Sequence, residues 1–112
     1  MSGSAFSKDE RSRLRELAGE VYETELGQLL EELDAEFARW RVGELPASEL
    51  LAAIEDFQQN QAHELGSLYR GLKEPELVAR GIAQGLLPRA ALDPVLLAKL
   101  DGLVAGCAPH GG

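Results

Sequence analysis

The sequence predicts an all-α protein, a small helical bundle of about four helices with one long N-terminal helix. Leu, Ala and Glu supply 49 of the 112 residues, whereas Ile, Val and Thr supply only 8, and the first group favours helix over strand. Apolar residues make up 45% of the chain and charged residues 27%, a balance typical of folded globular proteins. We expect one domain over residues 1–112, with flexible ends at 1–7 and 106–112.

The first helix is predicted to begin at Ser7 and to run to about Arg41. Ser7 and Glu10 have the spacing of a capping box, in which each side chain bonds the backbone N–H of the other residue. Gly43 is a stop signal, because glycine readily adopts the left-handed conformation that ends a helix.

The apolar side chains of this helix do not share one face. Those of its second half are spaced alternately four and three residues apart, as in a coiled-coil seam: Leu26, Leu30, Leu33, Phe37 and Trp40. On a straight helix, Leu14, Leu17 and Val21 point roughly 120° to 180° away from Leu26. The two halves of the helix therefore need different partners.

Two arrangements satisfy this requirement. A bend near Gly19 and Gly27 would let Leu14, Leu17 and Val21 cover the other helices of the same chain. Alternatively, the N-terminal half packs against a second copy, so that these three residues form the interface of a homodimer. We favour the homodimer as the prediction, because the last two helices are short and offer little surface to cover the arm.

The second helix is predicted to open near Pro46 and to continue for about six turns. Proline at the start of a helix costs no hydrogen bond. The core-facing seam of this helix is a stripe of apolar residues with a single polar member: Leu50, Ile54, Phe57, Gln61, Leu65 and Leu68. Pro75 and the Asp93-Pro94 pair mark the starts of two shorter helices, the second with a buried seam of Leu96, Leu100 and Leu103.

Charge and cysteine content limit the function classes. The net charge is −8, which repels the phosphate backbone, so we predict no binding to nucleic acid. The longest apolar run, residues 50–54, is too short to span a bilayer, and no signal peptide is recognisable, so we predict no membrane association. The single cysteine, Cys107, forms no internal disulfide, and we expect a cytoplasmic protein.

No motif indicates catalysis. His63 lies opposite the apolar seam of its helix and is expected to be a solvated surface residue. The many glutamates lack the Glu-x-x-His spacing of a helical-bundle metal site, and no zinc motif, phosphate-binding loop or nucleophile elbow is present. We therefore predict no metal, no cofactor and no catalytic residue, and an enzyme is the less favoured interpretation.

Residues 37–69 carry a pattern that resembles one in other proteins: Phe37-x-x-Trp40-x-x-Gly43-Glu44-Leu45, then Glu49-Leu50, Ile54, Phe57 and Ala62-x-Glu64-Leu65-x-x-x-Tyr69. It resembles a family of small bacterial helical proteins of unknown function. In that family a His-bearing Asp-Gly-Pro kink interrupts the second helix, where this chain has a run of polar residues at 58–61. The resemblance implies a bacterial cytoplasmic protein and draws attention to Trp40, Glu44, Glu64 and Tyr69 as candidate binding residues.

Together these observations favour a non-enzymatic, homodimeric protein that acts by protein–protein interaction or regulation. The alternative is a small-molecule binder or enzyme with a pocket between the first two helices, lined by Trp40, Glu64 and Tyr69. A concavity that holds Glu64 and Tyr69 together would favour this alternative.

Overall fold

The computed structural model describes residues 6–107, which form helices and connecting turns with no strand among them. The helices are α1 (Lys8–Arg41), α2 (Ala47–Asp56), α3 (Ala62–Gly71), α4 (Glu74–Ala83) and α5 (Pro94–Gly106), and a single 3-10 turn spans Arg89–Ala91. A π-helical stretch, Phe57–Gln61, joins α2 to α3 without a break and is called the π segment below. The protein thus has four helical rods, the first of them long, which confirms the predicted fold class.

Local capping signals set the ends of α1 as predicted. The Ser7 backbone N–H donates to Glu10 Oε1 at 2.8 Å, and the Glu10 N–H donates to Ser7 Oγ at 3.1 Å, which confirms the capping box. Gly43 has φ +82° and ends the helix. Of the predicted flexible ends, residues 1–5 and 108–112 lie outside the described residues, whereas Ser7 caps α1 and Gly106 is the last residue of α5.

The chain divides into two compact units, and α1 contributes to both. Unit 1 contains, among the described residues, 6–22 and 72–107, and therefore holds the start of α1 with α4 and α5. Unit 2 is Glu23–Gly71 and holds the rest of α1 with α2, the π segment and α3. Thirteen of the sixteen buried apolar side chains in the described part of the chain belong to unit 1.

Unit 1 buries the arm that the sequence assigned to a homodimer. Leu14, Leu17 and Val21 are only 0–1% exposed within one chain, and a Cβ on Gly81 of α4 would lie 2.7 Å from Val21 Cγ2. This burial within one chain is the other arrangement that the sequence allows, and the dimer interface at these three residues stays a prediction. Although α4 and α5 are short, their buried faces cover the arm: Leu77, Val78, Ala79, Ile82, Leu96 and Leu100.

The second rod departs from the predicted continuous α-helix. Its middle is the π segment, in which Asn60 Nδ2 and Gln61 Nε2 donate to the Asp56 carboxylate at 2.7 and 3.1 Å. These bonds stabilise the wider turn, in which backbone hydrogen bonds span five residues instead of four. Leu50 and Leu65 are buried on either side of it, so the predicted seam is confirmed at those positions.

The last helix, α5, is capped as predicted but buries a slightly different face. Asp93 accepts a hydrogen bond from the Val95 backbone N–H at 3.0 Å, which confirms the N-cap. Leu103, predicted to be buried, is 40% exposed, and Val104 is buried instead. Leu100 and Val104 are one turn apart, so the buried stripe continues on the side of α5 away from Leu103.

Candidate functional site

Unit 2 leaves much of its apolar stripe uncovered. Its buried side chains are Leu45, Leu50 and Leu65, and none of them lies on α1. On the α1 seam, Leu30 is 47% and Trp40 is 43% exposed, and the remaining seam residues are only half-buried. Apolar surface of this kind on a folded protein marks a binding site more often than chance.

Two adjoining concavities run along unit 2 between α1 and the second rod. The first has a volume of about 310 Å³ and is lined by Glu25, Gln28, Leu29, Glu32, Gln61, Glu64, Leu65 and Leu68. The second has a volume of about 250 Å³ and is lined by Glu32, Leu33, Glu36, Ala53, Asp56, Phe57 and Gln61. They share Glu32 and Gln61, and together they form what we call the acidic groove.

Three of the five carboxylates in the acidic groove are held by neighbouring side chains. The Tyr69 hydroxyl donates to Glu25 Oε1 at 2.5 Å. The Arg39 guanidinium lies 3.2 Å from Glu36 Oε2, and Asp56 accepts the two amide bonds of the π segment. Of these contacts, only the hydrogen bond between Tyr69 of α3 and Glu25 of α1 joins two different helices.

The other two carboxylates, Glu32 and Glu64, make no hydrogen bond or ion pair with any described residue. No lysine or arginine lines the groove. The surrounding unit is also strongly acidic: residues 23–71 contain eleven acidic and three basic side chains, whereas unit 1 contains eight of each. The whole net charge of −8 is therefore carried by unit 2.

The composition of the acidic groove determines its chemistry. Its lining residues are Glu, Asp, Gln, Leu, Ala and Phe, so carboxylates are the only ionisable side chains among them. An apolar floor with carboxylates along its walls can hold a ligand that is both apolar and cationic. The arrangement is suited to binding.

The structure brings together only part of the predicted binding set. Glu64 lines the acidic groove, and Tyr69 is connected to it through the hydrogen bond to Glu25. Trp40 and Glu44 are exposed but do not line it. Neither concavity of the groove has Trp40, Glu64 and Tyr69 as common lining residues. His63 is exposed, as predicted.

Sequence reasoning missed the groove residues of α1. Glu25, Glu32 and Glu36 are separated by seven and four residues, a spacing that places them on one side of a helix, next to the apolar seam. That periodicity was available as a signal. Phe57 was on the predicted seam, but Asp56 could not be placed from the sequence, because it lies where the second rod changes from α to π geometry.

Unit 1 has a separate apolar pocket of about 290 Å³ near the end of α5. It is lined by Leu72, Glu76, Arg80, Gly102, Leu103, Gly106 and Cys107. Cys107 is partly buried there.

Two kinds of feature are absent from residues 6–107. Within this range no three His, Cys, Asp or Glu side chains converge as they would around a metal ion. Nor does any helix in it have both the length and the apolar content that crossing a membrane requires.

No protein-family model matches this chain, and no curated protein or solved structure matches it either. The resemblance to a family of small bacterial helical proteins therefore stays a prediction. The function has to be inferred from the geometry of unit 2.

Proposed function

We propose that this protein acts by binding another protein at the acidic groove of unit 2, and not by catalysis. The observation that carries the proposal is the contrast between the two units. Unit 1 buries thirteen apolar side chains among the described residues, whereas unit 2 buries only three among 49 residues. A partner that covers Leu29, Leu33 and Leu68 would contribute about 25 cal/mol for each Å² of apolar surface removed from water.

A homodimer, which the sequence also predicts, does not account for the groove. Two copies would bring together two units that each carry a charge of −8, and like charges across an interface disfavour association. The exposed Val95 and Leu103 on α5, in the neutral unit 1, are the better surface for self-association. We therefore propose a different protein as the occupant of the groove.

Capture from source cells tests the proposal. Wild-type protein, the variant Leu29→Ser and the control Leu51→Ser are immobilised, and proteins cross-linked to each are identified by mass spectrometry. Leu29 lines the groove, whereas Leu51 is exposed on α2 outside it. The same replacement of Leu by Ser is made at both positions, so that the two variants differ only in where the change lies. Circular dichroism checks that both variants keep their helical content. A cytoplasmic extract is the first sample, because the single Cys107 predicts that location.

We expect wild type and Leu51→Ser to capture the same partner and Leu29→Ser to lose it. The proposal is abandoned if no protein is captured above the background of the matrix, or if Leu29→Ser captures the same protein to the same extent. Light scattering of the wild type reports separately on the homodimer, as a doubled mass.

The alternative function is the binding of a small organic cation. One observation favours it: Glu32 and Glu64 line the same concavity without a compensating charge. Native mass spectrometry of protein purified from its source cells would show such a ligand as a stoichiometric mass increase that Glu64→Gln removes.

A further inference from the structure

From the shape and charge of the acidic groove, we infer that its occupant is a positively charged amphipathic helix of another protein. This inference rests on the proposed function and specifies the chemistry of the partner. It follows from three properties of unit 2: the length of the apolar floor, the uncompensated carboxylates, and the absence of a strand edge in the groove walls.

The floor of the groove matches a short helix in length. Along α1 the groove extends from Glu25 to Glu36, which corresponds to roughly 16 Å, or three turns, at 1.5 Å per residue. On this floor, Leu29 and Leu33 lie one turn apart on α1, and Leu65 and Leu68 lie on α3. A helix with apolar residues at positions i, i+3 or i+4, and i+7 would place its apolar stripe along this floor.

The charge of the groove selects a cationic partner. Glu32 and Glu64 have no partner among the described residues, and the net charge of unit 2 is −8. Lys or Arg side chains beside the apolar stripe of a bound helix would reach these carboxylates with their charged ends while their aliphatic stems cover apolar surface. A positive partner is also attracted from a distance, which speeds association at low ionic strength.

The secondary structure of the groove selects a helix over an extended peptide. Extended peptides commonly bind by adding a strand to a sheet edge, where main-chain hydrogen bonds supply much of the affinity. Both walls of the groove are helices, whose backbone N–H and C=O groups bond each other. Side-chain packing is the interaction that remains, and a helix presents its apolar side chains on one face.

The test uses three synthetic peptides of about 14 residues, long enough for three to four turns, with the full-length protein. The first has Leu at helical positions i, i+3 or i+4, and i+7, with Lys elsewhere. The second keeps the Leu positions and replaces Lys with Glu. The third has the composition of the first in an order that gives no apolar face. Binding is measured by isothermal titration calorimetry at physiological ionic strength.

Two double variants carry the same loss of charge. Glu32→Gln/Glu64→Gln removes the two uncompensated carboxylates of the groove, and Glu49→Gln/Glu55→Gln removes two exposed carboxylates of α2 that do not line it. We expect only the first peptide to bind, with one site per chain. The groove variant should weaken its binding roughly tenfold, since each exposed ion pair contributes up to a factor of about five. The control variant should change it less than about twofold.

The inference is overturned if the cationic amphipathic peptide does not bind, if the scrambled peptide binds as tightly, or if both double variants weaken binding equally. It is also overturned if light scattering gives the mass of a dimer for the wild type and half that mass for Leu29→Ser, because a second copy would then occupy the groove. The proposed function survives failure of the peptides if Leu29→Ser still loses a partner captured from cells. In that case the partner is a protein of different chemistry.

Discussion

The replacement Gly81→Ala tests how unit 1 buries the start of α1. Gly81 lies inside α4, where alanine alone would favour the helix by about 1 kcal/mol. The added Cβ would, however, lie 2.7 Å from Val21 Cγ2 and 3.0 Å from Val21 Cγ1. Val21 is fully buried, so overpacking should cost about 1–3 kcal/mol. We expect a net loss of about 1 kcal/mol in the free energy of unfolding.

Gly19→Ala is the matched control. Gly19 lies inside α1 and is exposed, and a Cβ there would meet nothing within 4 Å. The same helix preference then acts without a clash, and we expect a gain of about 1 kcal/mol. The two alanine variants should thus shift stability in opposite directions, with melting temperatures that differ by roughly 8 °C. Urea unfolding followed by far-ultraviolet circular dichroism measures both.

The double variant Val21→Ala/Gly81→Ala isolates the contact. Val21→Ala alone should lose roughly 2 kcal/mol through buried methyl groups and the space they leave. In that background the methyl group added at position 81 fills vacated space, so Gly81→Ala should become stabilising. If Gly81→Ala raises the wild-type urea midpoint as Gly19→Ala does, Val21 does not pack on α4, and the burial of α1 within one chain is refuted.

Three further predictions concern single polar contacts. The Lys99 ammonium and the Ser7 backbone N–H hold the pKa of Glu10 below its ordinary value of 4.5; the contribution of Glu10 to stability is therefore present above that value and lost as pH falls through its lowered pKa. In thermal melts from pH 7 to 3, the melting temperature should therefore fall less on acidification for Glu10→Gln than for wild type. Tyr69→Phe removes the 2.5 Å hydrogen bond to Glu25 and should cost about 1–2 kcal/mol in urea unfolding; an unchanged midpoint would mean that the bond contributes nothing. Asp93→Ala removes the cap of α5 and should cost about 1 kcal/mol, with faster amide hydrogen exchange confined to the first turn of that helix.

Signals that act within one turn of helix were readable from the sequence. The capping box of Ser7 and Glu10, the cap at Asp93 and the stop at Gly43 each depend on residues no more than four apart. Such contacts join residues that are close in the chain, so they can be predicted without knowing what packs around the helix. The apolar seams were readable for the same reason, because helical periodicity is a property of the local backbone.

What covers each seam was decided only by the tertiary structure. The sequence shows that the apolar face of Leu14, Leu17 and Val21 needs a partner. A second copy and the other helices of the same chain meet that need equally well until the position of α4 is known. The acidic groove likewise depends on Glu32 of α1 lying near Glu64 of α3, residues far apart in the chain. Amino-acid periodicity determines which face of a helix is apolar; the three-dimensional path of the chain determines whether that face is buried or left open to a partner.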